Sequence, residues 1–147
     1  MENFDDSNKD IKNEFADSLQ AEESFYQAFQ SCDIELMKDV WDKTDEVVCI
    51  HPSALRIYSY ELIIASWEQI FSAQEGVSII VNEPVYKIKP DTAIHYVKEE
   101  LFVGNSSVAS ILATNIYQQT DQGWKMIAHH ASPASNAADV KVNPSLH

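Results

Sequence analysis

After Gly76 the chain has little freedom of architecture. Four strand-like runs follow one another, at residues 77–89, 92–103, 107–119 and 124–132, and only P-D, G-N-S and T-D-Q-G separate them. Gaps that short suit tight turns between antiparallel neighbours, because parallel neighbours need a crossover of about a dozen residues or more. The second half of the chain therefore reads as an antiparallel meander.

The first half reads differently. From about residue 13 to 32, Phe15, Leu19, Tyr26 and Phe29 recur at helical spacing, with Phe25 and Cys32 widening the stripe. Asp33 is placed to cap a second helix from Ile34 to about Lys43, whose Leu36, Met37, Val40 and Trp41 share a face. The run V-V-C-I-H-P, ended by proline, predicts a short strand closing at His51. Ser53 to Tyr58 read as a loop. Ser59 is placed to cap a third helix with Ile63, Ile64, Trp67, Ile70 and Phe71 inside, stopped by Gly76.

The order α-α-β-α-β-β-β-β predicts an α+β domain in which three helices pack on one face of a curved antiparallel sheet. Its expected span is 13–133, between a frayed segment at 1–12 and a loose tail at 134–147. The strands do not alternate cleanly between apolar and polar, as a sheet with one wet face should. A second copy of the chain is expected on the outer face, giving a homodimer.

Charge narrows the partners. Residues 1–46 hold 14 acidic and 4 basic side chains, against 9 and 6 in the rest, within a net charge of -13. An acidic surface repels nucleic acid and anionic membrane, so neither is expected as a partner. No signal-peptide pattern or bilayer-length apolar run is visible, which points to a cytoplasmic protein. Cys32 and Cys49 have no metal-binding spacing and read as free thiols.

A curved sheet over helices leaves a hollow, and such hollows take small molecules. The residues that read as its lining are Trp41, Arg56, Tyr58, Trp67, Asn115, Tyr117 and His129, with His51 and His130 as candidate proton-transfer groups. Each has a plainer reading. Trp41 and Trp67 sit within apolar helical stripes and read first as core. His51 can simply bond backbone at a strand end. Arg56, the sole arginine of the chain, can pair with a carboxylate or hold an anionic ligand at the pocket mouth. Glu99 and Glu100 are adjacent and face opposite ways, so at least one is solvated. No local spacing suits a metal, no reactive serine or cysteine context is present, and no cofactor is expected.

In W-K-M-I-A-H-H-A-S-P, strand geometry sends His129 and His130 to opposite faces. His130, in phase with Trp124 and Met126, is expected to point inward and His129 to reach the outer face or rim. One bulged residue in this strand would exchange the two.

The ordered set F-Y-Q-A-F-Q-S-C-D-I-E-L-M-K-D-V-W, V-V-C-I-H-P, I-I-A-S-W-E-Q-I-F and W-K-M-I-A-H-H-A-S-P resembles the SnoaL-like branch of the nuclear-transport-factor-2-like superfamily. The resemblance implies a cone-shaped α+β fold and, in many members, dimers through the outer sheet face. It implies either a cofactor-free isomerase, dehydratase, cyclase or hydrolase with a pocket histidine, or a non-catalytic ligand-binding or assembly module. The kinase association domains of the superfamily are of the second kind.

Overall fold

The computed structural model describes residues 13–73 and 76–135. The segment 1–12, residues 136–147 of the expected tail, and Gln74 and Glu75 lie outside the described residues. Three helices, α1 (Ser18–Ser31), α2 (Ile34–Val40) and α3 (Tyr60–Ala73), pack against six strands. The strands are β1 (Val48–Ile50), β2 (Arg56–Ile57), β3 (Val77–Ile88), β4 (Thr92–Val103), β5 (Ser106–Thr120) and β6 (Gly123–Pro133).

Local chemistry explains the helix boundaries. Asp17 caps α1 by accepting from the backbone of Gln20, so the helix begins later than its apolar spacing predicts. Leu19 consequently lies exposed, and Ala21, Phe25, Ala28 and Phe29 form the buried side. Cys32 ends α1 in the left-handed conformation, with its N–H turned back to Ala28 and Phe29. Asp33 then caps α2 through Leu36, and Ser59 caps α3 through Leu62, both as expected. Helix α2 stops at Val40 rather than Lys43, because Trp41 turns extended to bridge Met126 of β6.

The sheet runs β2-β1-β6-β5-β4-β3, with β1 and β6 parallel and the other pairs antiparallel. The expected loop at 53–58 contains β2, a two-residue edge strand hidden from periodicity by its length. The sheet curves around the helices without closing. Among the described residues no helix is long and apolar enough to cross a membrane.

Two irregularities govern what the sheet presents. Between β3 and β4 the register shifts around Glu83, which takes a φ of 52°. Between β5 and β6, Ile116 pairs Ala128 while Tyr117 pairs Met126, which leaves Ile127 as an extra residue. Side chains beyond such a bulge change face. Trp124 and Met126 are buried before it, and His129 and Ala131 are buried after it.

The β5–β6 turn is also tied to the segment before α1. Trp124 donates its backbone N–H to the Phe15 carbonyl at 2.9 Å. Gly123, at φ +88°, passes so close that a Cβ there would stand 2.9 Å from both N and O of Phe15. Gly104 also has positive φ (+62°), but with nothing within 4 Å. Gly123→Ala is therefore expected to destabilise the chain by clearly more than the ~1 kcal/mol that left-handed strain alone costs Gly104→Ala, measured as urea midpoints.

Candidate functional site

Three neighbouring strands place one residue each in a single inward row, His95 of β4, Asn115 of β5 and His129 of β6. Helix α1 lies over that row and presents Ser18, Glu22 and Tyr26 at one-turn spacing. Two buried polar clusters result. In one, His95 bonds Glu22 through Nδ1 (2.8 Å) and Ser18 through Nε2 (2.9 Å). In the other, His129 Nδ1 meets Asn115 Oδ1 at 2.6 Å. Asn115 Nδ2 donates to the Tyr26 hydroxyl at 2.9 Å, and Tyr26 donates to Glu99 Oε2 at 2.6 Å.

The second cluster opens on a hollow of about 320 Å³ between the sheet and α3. Phe29, Trp67, Ile70, Leu101 and Ile111 supply most of its wall, and His51, Glu99 and His129 supply the titratable groups. Trp67 stands edge-on to both Phe29 and His51, at 4.9 and 4.8 Å between ring centres. The two pocket imidazoles are 6.4 Å apart. His51 Nε2 lies 2.9 Å from Ser66 Oγ, whose own proton goes to the Ile63 carbonyl.

Burial drives the titratable groups of the hollow away from charge. It pushes the Glu99 carboxyl up to about 7, against the lowering effect of Tyr26's hydrogen bond. It pulls His129 down to about 3, helped by the neighbouring imidazoles of His51 and His130. His51 is lowered by burial as well. Near neutrality the imidazoles are uncharged, and Glu99 is the group that titrates. The Cys49 thiol, 3.6 Å from His51 Nε2, is held by burial at about 12 and is no nucleophile.

The expected site residues divide accordingly. His51, Trp67 and His129 line the hollow, and Asn115 braces His129 from behind. Trp41 and Tyr117 are fully buried in the core outside the lining, Tyr117 packed on His95. Arg56 is on the surface with its guanidinium 4.9 Å above the exposed Tyr58 ring, and neither meets the hollow. His130 does not point inward. The bulge at Ile127 turns it to the outer face, where it lines a depression of about 380 Å³ with Val85, Tyr96 and Leu112. Among the described residues no group of three or more metal-ligating side chains converges.

Glu99 and Tyr26 are the residues that sequence reasoning missed. The signal for Glu99 was present, since it shares strand parity with Ala93, His95 and Val97, all buried. Tyr26 was readable only as a member of an apolar stripe.

Residues 19–136 match the sequence model of the SnoaL-like domain family. A solved structure from Thiobacillus denitrificans, described as a provisionally assigned calcium/calmodulin-dependent protein kinase type II association domain, is 34% identical. It superposes with a TM-score of 0.79 over 84% of this chain and all of that one. A provisionally assigned dehydratase of the nuclear-transport-factor-2-like family from Streptomyces avermitilis has the same fold. It is 24% identical, with a TM-score of 0.74 over 88% of this chain and 99% of that one. The F-box protein SKIP8 of Arabidopsis thaliana is 28% identical over 108 residues, 74% of this chain; the chain spans 46% of that relative's length.

The titration of Glu99 has a sign that can be checked. Its folded value of about 7 lies above the ordinary 4.5, so the native chain retains a proton that the unfolded chain has released. This contribution to stability is fully present below about pH 4.5 and is lost as pH rises through about 7, amounting to roughly 3 kcal/mol. His129 acts oppositely, its contribution being present above 6.5 and lost as pH falls towards 3. Glu99→Gln is expected to gain stability relative to the parent between pH 5 and 8, in melting curves recorded across that range. A difference that does not vary with pH would refute the assignment.

Proposed function

The chain belongs to the SnoaL-like domain family, and we propose that its hollow binds a small, largely apolar organic molecule for cofactor-free proton transfer. The reading rests on one observation: an apolar cavity of about 320 Å³ carries a carboxyl held near neutrality beside an uncharged imidazole. A volume of that size is at the small end of pockets that take organic ligands, about 300–1,000 Å³.

Proton transfer is most effective when the group's pKa lies near the working pH. Glu99 meets that condition, whereas His129 is too weak a base and His130 is on the wrong face. Glu99 is thus the proton-transfer group, His129 and His51 orient the ligand, and Asn115 and Tyr26 position His129 and Glu99. Isomerisation and dehydration both fit one carboxyl acting first as base and then as acid.

A thermal-shift screen of apolar metabolites should find stabilising ligands. Ala109→Trp, which fills the hollow from its wall, should abolish those shifts. Glu99→Gln should retain binding and lose at least about a hundredfold in turnover, the usual share of a general acid–base. Binding that survives the filled cavity would sink this reading.

A second reading is assembly, supported by the outer face of the sheet. Ile80, Val85, Tyr96 and Leu112 share that face and are 42–52% exposed in the single chain. A second copy would cover them in a homodimer. Light scattering should give twice the chain's 16.6 kDa, and Leu112→Arg should return the particle to one chain.

A further inference from the structure

We propose that the hollow is an acceptor-only site, selecting a neutral apolar alcohol or phenol through a hydroxyl that donates to Nε2 of His129. This rests on the ligand-binding reading above and adds the polarity of the ligand, which follows from the direction of the buried hydrogen-bond chain.

The direction is set at Glu99. An ionised carboxylate only accepts, so Tyr26 spends its one proton on Glu99 Oε2 at 2.6 Å. The Tyr26 oxygen must then accept from its other partner, Asn115 Nδ2, at 2.9 Å. That orients the amide with Oδ1 towards His129 Nδ1 at 2.6 Å. An amide oxygen also only accepts, so Nδ1 carries the imidazole proton. A neutral imidazole has one such proton, which leaves Nε2 bare.

No other polar group among the described lining residues offers an accessible free donor. His51 Nε2 donates to Ser66, whose hydroxyl proton is committed to the Ile63 carbonyl. The indole N–H of Trp67 has no partner, but it has no accessible surface from which to reach a ligand. Glu99 itself accepts and carries negative charge. A ketone or ether would leave both His129 Nε2 and its own oxygen unpaired, and buried unpaired polar groups are costly. A carboxylate ligand would meet Glu99 in a medium that screens charge poorly, with no lysine or arginine among the described lining residues. A hydroxyl donor resolves both problems. The Arg56 route to an anionic ligand is closed by position, since that guanidinium is on the outside over Tyr58.

Four bicyclic probes of nearly equal shape test the inference at pH 8, where Glu99 is ionised: 2-naphthol, naphthalene, 2-methoxynaphthalene and 2-naphthoate. Titration calorimetry on the intact chain should rank 2-naphthol at least about fivefold tighter than the two neutral probes, the worth of one buried hydrogen bond. The naphthoate should be weakest. His129→Phe should erase the preference for naphthol while still binding naphthalene. Should that variant fail to fold, the 15N resonance of His129 Nε2 in the parent chain gives the same answer: it should report a bare nitrogen that shifts when naphthol is added. Equal binding of naphthol and methoxynaphthalene, tighter binding of the naphthoate, or a protonated Nε2 would overturn the inference and leave the ligand-binding reading standing. If no probe binds, both fall.

Discussion

Between Met126 and Ala128 the last strand carries one residue more than β5 can pair, and the side chains beyond it are turned over. Were Ile127 paired with Ile116 instead of bulged, His130 would sit opposite Ala113 and face the helices, and His129 would face outward beside Thr114. With the bulge, His129 completes a row with His95 and Asn115, and His130 joins Tyr96 and Thr114 on the far side. The bulge lies where the segment after α2 reaches the sheet: the backbone N–H of Asp42 donates to the Met126 carbonyl, and Trp41 bridges the same residue. Both the pocket and the outer face depend on this one insertion.

The helix–sheet interface is unusual in how many polar groups it buries. Ser18, Glu22, Tyr26, His95, Glu99, Asn115 and His129 are all buried. Each would cost about 1–3 kcal/mol if left unpaired in the interior. They are tolerated because α1 and the strands pair them into two chains, Ser18–His95–Glu22 and His129–Asn115–Tyr26–Glu99. Pairing of this kind also confers direction. The second chain has a fixed order of donors and acceptors, and with Glu99 ionised that order is consistent with the proton of His129 on Nδ1. The imidazole of His129 is thus linked to a carboxyl three hydrogen bonds away.

Family membership constrains the scaffold more than the chemistry. The related structures share the cone, and what an individual cone does depends on the few side chains in its hollow. Here these are two uncharged imidazoles and a carboxyl poised near neutrality, with no lysine or arginine among the described lining residues.

Much of this protein was legible from the sequence alone. The short turns after Gly76 dictated an antiparallel meander, Asp33 and Ser59 announced their helices, and the missing alternation in the strands revealed a sheet with apolar residues on both faces. These features depend on interactions within a few residues of each other, or on the solvent that each face meets. The site was legible only in part. Strand parity placed Glu99 and Glu100 on opposite faces but did not say which was inward, and it assigned His129 and His130 the wrong way round. Only the tertiary structure decided those points, because a bulge is a property of two strands paired at a given register and leaves no mark on one of them alone. It also decided the fates of Arg56 and Tyr26. The guanidinium settled over Tyr58, while a tyrosine that read as core became the link between a carboxyl and an amide 73 and 89 residues further along the chain.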